Sequence, residues 1–127
     1  MLGKSAQDAN NCTEAINYYK TVANLSKAES GAEARYEIAN CTYKLNKYSD
    51  AEKAAFEVIK KSGSYEIWVT KSYILLGDIY FAQKDYFNAK ATYKSVSENS
   101  TIPELKTEAS EKLVKTEAEE QAATKMQ

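Results

Sequence analysis

The chain has 127 residues, 17 basic against 18 acidic, with no His and two Cys. That length supports one domain with a modest core, and a net charge of −1 excludes the strongly basic footprint of a nucleic-acid binder. Two cysteines without a histidine are too few for a zinc site, no apolar run reaches the roughly 18–20 residues of a membrane-spanning helix, and the opening MLGKSAQDANN lacks the apolar segment of a signal peptide.

One Pro and four Gly leave turns sparse, and a 3.6-residue periodicity runs through most of the chain. It predicts a first helix over 13–27, with Ile16, Tyr19, Val22 and Ala23 on one side. A second, over 32–45, aligns Tyr36, Ala39 and Tyr43. After a break at Asn46-Lys47 a third covers 48–61, with the stripe Ala51, Ala55, Val58 and Ile59. Ser49 and Glu52 have capping-box spacing at its start. Ser62-Gly63-Ser64 is the clearest turn. A fourth helix is predicted over 65–83, then a break at Lys84-Asp85, with Asp85 as N-cap of a fifth over 86–98. Pro103 opens the last helix, where its missing N–H had no partner to lose. Ile102, Leu105, Ala109 and Leu113 give that helix a narrow stripe, with Glu108–Lys112 and Glu111–Lys115 at i,i+4 on its polar side. Cys12 and Cys41 read as small buried thiols, with a bridge between neighbouring helices as the alternative.

The chain also repeats itself. At an offset of 38, Ile38-Ala39 pairs with Leu76-Gly77, Tyr43 with Phe81, Tyr48 with Tyr86, Ala51 with Ala89 and Val58 with Val96. Leu2-Gly3 precedes Ala15 by the same twelve residues that separate Leu76-Gly77 from Ala89. With Tyr80 and Tyr93 added, these residues resemble the tetratricopeptide repeat family, in which each repeat is a pair of antiparallel helices. The resemblance implies an all-α fold of stacked antiparallel hairpins forming a right-handed superhelix, an α-solenoid closed by a C-terminal capping helix. Its layout within a single domain is a partial first repeat at 1–27, a second at 32–61, a third at 65–98, a capping helix at 102–122 and a frayed tail at 123–127. A small residue on each helix of a pair, Gly77 with Ala89 or Ala39 with Ala51, lets two backbones approach. Gly inside a helix costs about 1 kcal/mol relative to Ala, so close contact must return more. The spacing departs from the usual repeat of about 34 residues, and Arg35 stands where a large aromatic is usual.

For function, the resemblance implies a non-catalytic scaffold for protein–protein interaction. It expects a protein or peptide partner, no nucleic acid, no membrane insertion, no cofactor and no metal. In the family the first helix of each pair lines a concave groove. Carried onto this sequence, the groove residues are Tyr36, Asn40, Tyr43 and Lys44, with Glu33 beside them, then Lys71, Ile74, Asp78 and Phe81. Packing between adjacent repeats is the competing role for the aromatic members. Trp68 is expected against the end of the 48–61 helix, with an exposed anchor as the alternative. A self-assembly segment using the N-terminal hairpin is a second functional reading, and an RNA-binding helical repeat a third that the charge balance disfavours. ARYEIA, residues 34–39, resembles the variant in bacterial cell-envelope members of outer-membrane assembly and the Tol-Pal system, which implies a periplasmic setting, with the cytoplasm otherwise. The short N-terminal hairpin suggests the C-terminal part of a longer array.

Overall fold

The computed structural model of the protein describes residues 11–25 and 28–125. Six helices occupy them: α1 Cys12–Leu25, α2 Glu29–Lys44, α3 Tyr48–Lys61, α4 Glu66–Ala82, α5 Tyr86–Asn99 and α6 Pro103–Lys125. Leu2 and Gly3, which the repeat spacing relates to Ala15, lie outside the described residues. The chain divides into two compact units, Met1–Ser72 and Tyr73–Gln127.

In the first unit α1 packs on α2 and α2 on α3, as consecutive antiparallel helices. Cys12, Ala15 and Tyr19 of α1 meet Ala34 and Cys41 of α2, with Ile16, Val22, Ile38 and Leu45 around them. The i, i+3 and i+7 spacing of the α1 residues is what gives this helix one apolar side. Cys12 and Cys41 are buried and unbridged. Burial, then the neighbouring Cys12 thiol, pushes the Cys41 thiol up to about 12, so it packs as a small hydrophobe and not as a nucleophile.

The second unit has its core where α4, α5 and α6 meet: Ile74, Ala89, Tyr93, Val96, Leu105 and Ala109 are buried together. The α6 stripe behaves as its spacing predicts, with Ile102 and Leu113 packed at the margin of this cluster. α6 then runs to Lys125, beyond the expected end at 122. The Thr116 side chain is fully buried on it, and Lys90 of α5 reaches Glu120 at 2.7 Å. Beyond Glu120, the described residues 121–125 are all exposed.

Gly77 explains the close pairing of α4 and α5. A Cβ at this position would lie 2.8 Å from both Cδ1 and Cζ of Tyr93, and closer still to Cε1. The methyl that glycine lacks is therefore the space that the Tyr93 ring occupies.

Two helix ends share one device. Asn46 and Lys84, 38 residues apart, adopt left-handed backbone at φ 63° and 62°. In both, the next N–H reaches back over the end of the helix, Lys47 to the Thr42 carbonyl at 3.2 Å and Asp85 to the Tyr80 carbonyl at 2.9 Å. This is the Schellman arrangement that satisfies terminal carbonyls. Asp85 then caps α5 by accepting from the Asn88 N–H at 3.2 Å. The capping box expected at Ser49 does not form: α3 starts at Tyr48, which puts Ser49 inside the first turn, and the N-cap is Lys47 with no side-chain bond.

Candidate partner-binding surface

Helical spacing places Tyr36, Asn40, Tyr43 and Lys44 along one side of α2, at i, i+4, i+7 and i+8. Lys44 is exposed and the other three are half-buried. The Tyr36 ring meets the Trp68 ring of α4, centroids 5.7 Å apart and planes tilted by 42°. Lys71, one turn beyond Trp68, puts its Nζ 4.8 Å from the indole centroid and 5.9 Å from that of Tyr36. The indole Nε1–H donates to Glu29 Oε1 at 3.2 Å. Two aromatic faces, a cation over both and a carboxylate at the polar edge thus form one cluster within the first unit. Such a group offers apolar area with little rotamer entropy to lose. Trp68, which the sequence pattern sends to the end of α3, has both its ring contact and its hydrogen bond on α2.

Tyr43 sits nearer the end of α2. Its ring lies 5.9 Å from that of Tyr48, whose hydroxyl donates to Asn46 Oδ1 at 3.0 Å. Phe81 and Tyr86 repeat the pair at 5.6 Å in the second unit, so this contact belongs to the hairpin itself.

The remaining predicted positions have a different setting. Ile74 is 3% exposed and lies in the core of the second unit. Asp78 accepts from Lys112 Nζ of α6 at 3.0 and 2.9 Å, and from the Tyr93 hydroxyl. Burial raises the Asp78 carboxyl above the ordinary range, against the pull of Lys112 and of the Tyr93 hydroxyl. Burial likewise pulls the Lys112 ammonium down, but the Asp78 and Glu108 carboxylates more than reverse this and leave it raised. Phe81 is partly buried at the margin of the same core, with Lys115 Nζ 5.4 Å above its ring. Ile74 and Asp78 are thus committed to the packing of α4 beneath α6.

Sequence reasoning placed neither Trp68 beside Tyr36 nor Lys112 beside Asp78. The first had a usable signal, because Trp68 and Lys71 are three apart on one helix and share a face. The second joins residues 34 apart, and no local spacing encodes it. Among the described residues no group of three or more Cys, Asp or Glu side chains is placed to hold a metal, and no helix is long and apolar enough to cross a membrane.

Two family models, each described as tetratricopeptide repeat, match the sequence, one over residues 1–67 and the other over 71–100. Comparison with curated proteins and with solved structures found no match.

Proposed function

This chain belongs to the tetratricopeptide repeat family, and on that premise we propose that it is a non-catalytic interaction module that engages a protein or peptide through the α2 side of its first unit. The observation that carries the reading is the Tyr36–Trp68–Lys71 cluster, an aromatic pair with a cation over it, half-buried and beside Asn40, Tyr43 and Lys44 on the same helix. A bound segment would lay an apolar side chain on the two rings, and Lys71 and Lys44 would favour a carboxylate nearby. In this reading Ile74, Asp78 and Phe81 belong to the packing of the second unit and do not touch the partner. The narrower assignment to the bacterial cell-envelope branch rests on residues 34–39 alone and predicts a partner found in that compartment.

The test is capture from a lysate of the source organism by the parent chain and by a Tyr36→Ser/Lys71→Glu variant, each checked by circular dichroism and melting. A partner retained by the parent and lost by the folded variant supports the α2 surface. Equal capture by both assigns these side chains to packing between helices.

A further inference from the structure

The first unit also carries a concavity. A cavity of about 390 Å³ opens among α1, α2 and α3, and its lining includes Lys20, Arg35, Glu57 and Lys61. This size falls within the range of small-ligand and side-chain pockets. Arg35 is one of the residues that depart from the family pattern, standing where a large aromatic is usual. Its guanidinium is fixed from two sides: Nη1 donates to the Ser62 hydroxyl at 2.9 Å and Nη2 to the Ala23 carbonyl at 3.3 Å. The remaining donors of its five-donor fork are thereby held in place. Glu57 is paired with Lys61 at 3.0 Å. Among the described residues, Lys20 and Arg35 then have no carboxylate in ion-pair contact. Ala23, Ile38 and Ala54 supply an apolar lining beside the charges.

The repeat itself shows that these charges are not required by the hairpin. At the offset of 38, Arg35, Glu57 and Lys61 become Tyr73, Ser95 and Asn99, all uncharged at neutral pH. Lys20, Arg35 and Lys61 against the single carboxylate of Glu57 line this cavity, which favours an anionic ligand by complementarity.

We propose that this cavity is a second docking site, separate from the α2 surface, which takes an acidic side chain from a partner's peptide segment. The carboxylate would meet the Arg35 fork, with Lys20 and Lys61 beside it and the shank of the side chain over Ala23, Ile38 and Ala54. A guanidinium that is already held loses little freedom on binding, and charge-assisted hydrogen bonds to it are the strong ones.

The test titrates the full chain with a fluorescent octapeptide of alternating Leu and Glu and with its Leu/Gln counterpart at low salt. The expected result is preference for the Glu peptide by about tenfold or more, weakened by added salt. Arg35→Gln should lower that affinity by about tenfold, and Lys20→Gln/Lys61→Gln by several-fold. Tyr36→Ser should leave it unchanged, which separates this site from the α2 surface. If Arg35→Gln unfolds, since it also loses its bonds to Ser62 and Ala23, the variant Lys20→Gln/Lys61→Gln, changed only at exposed positions, decides instead. Loss of affinity there supports the site, and full retention overturns it. Equal binding of the two peptides, or no binding of the Glu peptide, also overturns it.

Discussion

Replacing Gly77 by Ala adds one methyl group, and two opposing terms decide the sign of its effect. On an exposed helix the change stabilises by about 1 kcal/mol, because Gly has the larger backbone entropy to lose. Here the new carbon would lie 2.8 Å from two carbons of the Tyr93 ring, well inside the preferred separation of about 3.5–4.0 Å. The ring cannot easily swing aside. It is 2% exposed, and its hydroxyl is tied to Asp78, which Lys112 holds in turn. Overpacking of this kind costs about 1–3 kcal/mol. A buried, doubly anchored ring belongs at the upper end of that range, so the net loss should be about 2 kcal/mol. Urea unfolding followed by far-ultraviolet circular dichroism measures it. The Tyr93→Ala background supplies the control, since the preceding copy has Ala39 and Ala55 at these two positions, both buried. Gly77→Ala should become neutral or stabilising there, a coupling of about 1–3 kcal/mol. Stabilisation by Gly77→Ala in the parent chain would refute the close-approach argument.

Other substitutions probe other parts of the account. Lys112→Met leaves the half-buried Asp78 carboxylate without its cation and should cost about 1–2 kcal/mol at neutral pH, less than a fully buried pair because both side chains retain some solvent. Asp78 is already raised by burial, so its protonation favours the fold: this contribution is present below the unfolded value near 3.8 and is lost as pH rises through the folded one. Removing Lys112 raises the folded value further, so the loss in urea titrations should be smaller at mildly acid than at neutral pH. Lys84→Gly relieves a side chain at φ 62° and should stabilise by about 0.5–1 kcal/mol, while Asn46→Gly should gain less, because Asn tolerates that backbone and Asn46 accepts the Tyr48 hydroxyl. A thiol reagent should label neither Cys12 nor Cys41 in the native chain and both after denaturation, since burial holds them back and keeps the Cys41 thiol protonated.

The helical register was legible because it is local. Tyr48–Lys61 matches its predicted bounds, and Tyr93 packs on Gly77 and shares a core cluster with Ala89. α2 begins at Glu29, earlier than the predicted start at 32, and Gly31 is buried inside its first turn. The candidate site was harder to read. Tyr36 and Ile74 occupy the same repeat position, yet one touches Trp68 and Lys71 and the other lies in the core of its unit. Their difference comes from what packs over each helix, and periodicity along a single helix does not contain that information. Phe81→Glu, attractive from sequence as a groove mutation, would place a charge against a core cluster and test stability instead of binding.

The most direct test of the α2 surface is an NMR titration of the labelled chain with a captured partner or its binding segment. The account predicts that the largest shift changes fall on Tyr36, Asn40, Tyr43, Lys71 and the Trp68 indole N–H, with the indole resonance moving as its bond to Glu29 is perturbed. Changes confined to α5 and α6, with the Trp68 indole unmoved at saturation, would contradict it.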